Sequence, residues 1–484
     1  MMKAAWIGVS LLVLISIAKT QAPDRSRPPP LGPPPSLTLP PIQRFKLSNG
    51  LHVVMMEKHE VPLVQINLLV KAGAVMDPIE KTGRASMTAA MMTEGAGSRN
   101  ALQLADAIDV LGATISSVAG QHTLLIALHT PLGKLDSALA LFADVALRPT
   151  FPVEELERKH KERLTTLLQW RDEPRAIASV LFHRTLYGTR HPYGLPSIGD
   201  EQSIRALTVG DLKEFHVACF RPNHAALIVV GDVKASTILS KLESAFSTWH
   251  AGNVPSRTWP LVEQVRSRGV YLVDKPGAAQ SEVRIGRIGV PRLTDDYYVI
   301  VVMNTILGGS FTSRLNQNLR EQHGYSYGAR SSFDFRPLPG PFVASAAVQT
   351  AVTDKALVEF MNELNGILRP VSDEELTRAR NYVALGFPDN FQSVAQIASQ
   401  MAELVVYDLP DDYFNNYIGR ILAVTGEDVH RVANKYLDPE KVDIIVVGDL
   451  AQIQKGIREL NLGATKVMTI EDVLGNAPIV REGG

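Results

Sequence analysis

"TVGDLKEFHVACFRPNHAALIVVGD" (residues 208–232) and "TGEDVHRVANKYLDPEKVDIIVVGD" (residues 425–449) are two versions of one pattern. At a single offset of 217, Asp211 matches Asp428, Pro222 matches Pro439, and both stretches end in VVGD. Each reads as an amphipathic helix, a turn bearing Pro, and a buried strand of β-branched residues. Upstream, "VEELERKHKE" (153–162) matches "DEELTRARNY" (373–382) at an offset of 220. Two matches in the same order at nearly equal offsets describe a duplicated chain. The halves run from 42 to 250 and from 269 to 465, with 251–268 as a linker and 466–484 as a C-terminal tail. Strands and helices fall in separated blocks within each half, which predicts an α+β fold rather than a doubly wound parallel sheet.

A chain of 484 residues with 45% hydrophobic and 20% charged residues can bury more than one core. Its formal net charge is -1, with no basic block, which argues against nucleic acid as a partner. Lys3 and the apolar run Ala4 to Ala18, followed by small residues at Thr20 and Ala22, read as a secretory signal over 1–22. The run is short for a spanning helix, which needs about 20 residues. An uncleaved N-terminal segment is the one route to the membrane. The nine prolines of 23–41 form an extended spacer. The expected location is outside the cytoplasm, in the periplasm or tethered facing it. Cys219 is the single cysteine, so neither an internal disulfide nor a cysteine metal site is possible, and its apolar neighbours mark it as a small buried hydrophobe.

The stretch "GRASMTAAMMTEGAGSRN" (83–100) predicts a helix capped by Thr82 and stopped at Gly95 and Gly97. A second helix from Ala101 to Leu111 would bury Leu104, Ile108 and Leu111. By itself this is a helical hairpin that packs a core. In "LGGSFTSRLNQNLREQHGYSYGARSSFDF" (307–335), Ser310 would cap a helix with Leu315 and Leu319 inward, ending before Gly324. A strand follows in which Tyr325 and Tyr327 alternate with small residues. On these residues alone, Arg320 complements a helix dipole and Tyr327 is a half-buried strand aromatic. Of the twelve histidines no two are spaced by four; His183, His191, His216 and His224 read as scattered surface or helix-end residues. Asp232 and Asp449, one per half, read as turn or capping groups.

The order of "LSNGLHVVMMEKHEVPLVQINLLVKAGAVMDP", the 83–100 helix, "LGATISS", "TPLGKLDSALALFADVALRPTFPVEELERKHK" and "YGTRHPYGLPSIGDEQSIRALTVGDLKEFH" resembles the pitrilysin/insulinase family of zinc peptidases, which includes the mitochondrial processing peptidase. The resemblance covers nearly all of 42–465. It implies two homologous halves of antiparallel sheets covered by helices, together forming one half of a clam shell. Active members carry H-x-x-E-H on the first helix, where two imidazoles share one face and grip zinc while the Glu activates water. Those positions here are Ser86, Ala89 and Ala90, and the family's third ligand, a Glu, falls at Thr165 or Thr166. The resemblance thus implies no zinc and no other cofactor in this chain. The family's second half supplies an Arg and a Tyr seven residues apart that reach the substrate, and Arg320 and Tyr327 match that spacing. Some bacterial members are heterodimers in which one subunit has the zinc site and the other the Arg/Tyr pair. The implied partners are a homologous zinc-bearing subunit and a peptide, bound extended along a sheet edge of that subunit. The other reading is a catalytically silent structural or binding subunit.

Overall fold

Both copies of the repeated stretch fold as their pattern predicts. The helices Val209–Cys219 and Gly426–Tyr436 each begin with a reciprocal capping box, Thr208 with Asp211 and Thr425 with Asp428, which explains why the acid recurs. The strands that follow, Ala225–Gly231 and Asp443–Gly448, are buried along their whole length, as expected of a strand at the centre of a sheet covered on both faces. The computed structural model describes residues 37–479. The signal over 1–22, most of the proline-rich spacer and the last five residues lie outside the described residues.

Fourteen strands are present among the described residues: β1 (Gln43–Lys46), β2 (His52–Glu57), β3 (Leu63–Val70), β4 (Gly95–Ala96), β5 (Arg99–Asn100), β6 (Thr114–Ala119), β7 (Leu124–Pro131), β8 (Ala225–Gly231), β9 (Gly269–Asp274), β10 (Gln280–Ile288), β11 (Ser326–Phe333), β12 (Pro341–Gln349), β13 (Asp443–Gly448) and β14 (Ala464–Met468). The first sheet runs β1-β2-β8-β3-β7-β6 and the second β11-β12-β10-β13-β9-β14, while β4 and β5 pair as a small hairpin. Read from the β6 and β11 edges, the sheets follow the same plan. Both are mostly antiparallel, with parallel neighbours where β8 meets β2 and β13 meets β9. At the far edge the halves differ: β1 precedes β2 and pairs antiparallel, whereas β14 comes from the chain's end and pairs parallel with β9. The second sheet therefore continues past residue 465.

Five helices of the first half matter below: α1 (Arg84–Met92), α2 (Ala101–Asp109), α3 (Leu135–Leu147), α4 (Val153–Trp170) and α5 (Pro174–Tyr187). The repeat aligns α5 with the helix Val394–Val406, and these two elements are exchanged between halves. Ile177, Leu181 and Phe182 of α5 share a core with Ile445 and Val447 of the second sheet. Ile397, Met401 and Leu404 share one with Val54, Ile228 and Val230 of the first. Gly286 is required at this junction, because a Cβ there would lie 2.7 Å from the Phe182 ring.

The C-terminal segment is a strap. After β14, the helix Ile470–Leu474 packs on α5. Arg171 donates to Gly475 O at 2.7 Å, Arg184 to Asp472 O at 3.2 Å and Arg205 to Ile479 O at 2.7 Å. Three first-half guanidinium groups thus hold backbone carbonyls of the chain's end. None of the described helices is long and apolar enough to cross a membrane.

Candidate functional site

α1 is shorter than its sequence suggests and is capped differently. Gly83 takes the N-cap position with φ +94, so the Thr82 hydroxyl turns back to Ile79 O instead. The cap comes from Asp77, whose carboxylate accepts from Gly83 N at 3.0 Å and Ala85 N at 2.9 Å. Burial pushes the Asp77 carboxyl up to about 7, against the pull of the Ala85 amide, Arg84 and the Gly83 amide.

The positions that match the zinc motif do not fit a metal. Ser86 donates its hydroxyl to Ser197 O at 2.7 Å, Ala89 is buried, and Ala90 is half-buried. Thr165 and Thr166 bond back to Lys161 O and Glu162 O of their own helix. A residue that the sequence reading missed reaches this spot. Arg163, three residues before Thr166 and on the same face of α4, is buried and sends Nη1 to Ser86 Oγ (3.0 Å), Gly83 O (3.2 Å) and Ile198 O (3.0 Å). Burial lowers its guanidinium to about 10, with Asp77 opposing. A fixed side-chain cation therefore lies against the first motif position. Its one mark in the sequence is the helical spacing to Thr166, which does not say that the side chain turns toward α1.

The histidines offer no alternative. His191 is buried at the start of the turn Pro192–Gly194. His216, half-buried in the last turn of Val209–Cys219, is lowered by burial while bonding Ala146 O at 2.9 Å. Both are helix-end groups as expected, but neither is a free surface residue. Among the described residues no group of three His, Cys, Asp or Glu side chains is arranged to hold a metal ion. Cys219 is buried and its thiol is pushed up to about 11 by burial, so it is not a nucleophile.

The segment carrying Arg320 also departs from expectation. Regular α-helix covers only Arg314–Asn316, preceded by Ser313, whose hydroxyl makes no capping bond, and wide π-type turns span Thr305–Gly309 and Gln317–Gln322. Ser310 instead donates to Thr305 O. Arg320 lies in the second wide turn, with its guanidinium 4.4 Å from the Phe311 ring centroid. It makes no hydrogen bond to the carbonyls at the turn's end. Between Ser326 and Ala329 the pairing of β11 with β12 slips by one residue, a β-bulge that contains Tyr327 and Gly328. Ser326 Oγ accepts from Gly328 N at 3.0 Å, fixing the bulge internally. Asn316 fixes it from outside: its Oδ1 accepts from Ala329 N at 3.2 Å and its Nδ2 donates to Phe311 O at 2.7 Å. Tyr327 is 91% exposed and is thus not a half-buried strand aromatic.

A family model described as Insulinase (Peptidase family M16) matches residues 52–199, and one described as Peptidase M16 inactive domain matches 206–383. An uncharacterized zinc protease of Mycobacterium leprae is 26% identical over 347 residues, spanning 71% of this chain and 77% of the relative. One from Rickettsia felis is 24% identical over 395 residues, spanning 81% and 93%. Among solved structures, a peptidase M16 inactive domain from Pseudomonas fluorescens aligns with a TM-score of 0.79 at 26% identity, covering 84% of this chain and 97% of its own. The first half of the periplasmic protease PqqL from Escherichia coli aligns at 0.70 and 14% identity, covering 88% and 98%, a likeness of fold alone. With the duplicated sheets, these matches make the chain a member of peptidase family M16, with the domain described as inactive matching its second part.

Proposed function

We propose that this chain is the non-zinc subunit of an exported heterodimeric zinc endopeptidase. In this reading it encloses one side of the reaction chamber and supplies Arg320 and Tyr327 to a peptide cleaved at the metal of a homologous partner. A guanidinium and a phenol are suited donors to a carbonyl oxygen that gains negative charge, and they orient the peptide as they bind it. The observation that carries the reading is the aim of Tyr327. A bulge held by Asn316 presents a large aromatic to solvent at 91% exposure, where the chain itself gains nothing from it. The Lys3 and Ala4 to Ala18 pattern supports export. The competing reading is a catalytically silent structural or binding subunit.

The test is co-expression with an H-x-x-E-H homologue, followed by zinc quantitation per subunit and peptide hydrolysis by each chain and by the pair. Zinc should travel with the homologue, and the pair should outperform either chain. Stoichiometric zinc and hydrolysis in the isolated chain would overturn the proposal.

A further inference from the structure

Two adjoining clefts share Glu173 and Arg175 as a common wall, where the start of α5 crosses the second sheet. One, of about 590 Å³, is bordered by Gln280 and Glu282 of β10 and by Gly328 and Arg330 of β11. The other, of about 490 Å³, is bordered by His183 of α5, Arg284, Arg336 and the 193–198 loop. Each has the size of a ligand site. Together they make a trough with two informative ends. One end is Gly328, the residue after Tyr327. The other is Ser197 and Ile198, whose carbonyls accept from Ser86 and Arg163.

Most of the trough's charges are already partnered. Asp172 accepts from Lys275 at 2.8 Å, Glu282 lies 3.4 Å from Arg284, and Arg336 is bonded to Asp334. Two cations are left over. Arg175 and Arg330 are both exposed on the trough wall, and neither forms an ion pair among the described residues. The one unpaired acid there is Glu173, also exposed. Burial and the like charge of Arg175 both lower the Arg284 guanidinium, with Glu282 opposing, and among the described residues the two unpaired guanidinium groups outnumber the one unpaired carboxylate on the wall. Guanidinium groups bind carboxylates in paired hydrogen bonds.

We propose that this trough binds a carboxylate of an extended peptide through Arg175 and Arg330, as a specificity subsite running away from Tyr327. The inference rests on the peptide-substrate reading above, but its test needs no partner. The carboxylate belongs either to an acidic side chain or to a free C-terminus.

Fluorescence anisotropy on the full chain would use three labelled ten-residue peptides of alanine, serine and threonine. One carries a central Glu and an amidated C-terminus, one a Gln and an amidated C-terminus, and one the Gln with a free C-terminus. At least one carboxylate peptide should bind roughly tenfold tighter than the neutral one, and which one does so identifies the source. The preference should fade with added salt and vanish in the Arg175→Ala/Arg330→Ala variant. Both side chains are exposed, so the variant's melting temperature should not change. In Arg320→Ala/Tyr327→Phe the preference should persist, which separates this subsite from the proposed pair. Equal binding of the three peptides, no binding at roughly millimolar concentration, or a preference that survives the double arginine variant would overturn the proposal.

Discussion

A guanidinium and a zinc ion are both cations, but Arg163 brings its charge covalently attached and already hydrogen-bonded. Rebuilding the ligand set by Ser86→His, Ala89→Glu, Ala90→His and Thr166→Glu should therefore not restore zinc while Arg163 remains, because like charge and occupied space oppose the metal. Adding Arg163→Leu should allow it, as read by zinc bound after dialysis. Metal uptake by the fourfold variant alone would contradict this. In the native chain, Arg163→Leu strips a charged donor from Gly83 O and Ile198 O and should cost about 2–4 kcal/mol of unfolding free energy. The loss of the motif was legible in the sequence because His and Glu are irreplaceable as ligands. Arg163 was not, since nothing in a linear pattern says which of two helices will lend a side chain to the other.

Protonation at the residue scale has a definite sign. His122 is lowered to about 4, mainly by burial and secondarily by Arg336 and His191. The folded chain keeps this imidazole neutral while the unfolded chain takes up its proton near pH ~6.5. Its stabilising contribution is thus complete above that pH and is lost as pH falls toward 4. Asp77 and Asp443, raised to about 7 and about 6 by burial, act in the opposite sense, so a variant comparison is needed to isolate the histidine. Relative to the native chain, His122→Leu should lose less stability between pH 7 and 4 in urea denaturation. Parallel pH profiles for the two would contradict it.

Among the elements, the bulged strand and the wide turns before it matter most. A helix over 310–323 was a fair expectation from Leu315 and Leu319, and both are indeed buried. The pattern of apolar residues does not distinguish regular from wide turns, however. Gly308 approaches Ser331 N so closely that a Cβ would sit 2.2 Å away, an approach that depends on a strand distant in sequence. Asn316→Ala removes two hydrogen bonds that tie β11 and the Phe311 loop together. It should cost about 1–3 kcal/mol and raise hydrogen exchange at 326–330 without changing exchange in the first sheet. The capping boxes give a calibration: Thr208→Ala and Thr425→Ala should each cost about 1 kcal/mol. Unaltered exchange at 326–330 in Asn316→Ala would mean that Ser326 and the pairing with β12 hold the bulge without Asn316.

For the whole molecule, the duplication was readable from 208–232 and 425–449, but the exchange of helices was not. An amphipathic helix announces that it has an apolar face and leaves open which sheet that face will cover. The exchange has a consequence for folding: residues 42–250 alone would expose Val54, Ile228 and Val230, which Ile397, Met401 and Leu404 cover in the full chain. The two halves should unfold in one transition, with the same midpoint by far-UV circular dichroism and by tryptophan fluorescence. Two separated midpoints would show the halves to be independent. The strap adds to this coupling. Arg171→Ala/Arg184→Ala/Arg205→Ala should lower the midpoint and open residues 464–479 to exchange first.

The most direct measurement of the central claim is kcat of the reconstituted pair for a peptide that it cleaves. If this chain polarises and positions the substrate for its partner, Arg320→Ala and Tyr327→Phe should each lower kcat about 10²-fold, with the complex and its zinc content intact. Unchanged kcat in an intact complex would contradict the account and leave the chain a scaffold.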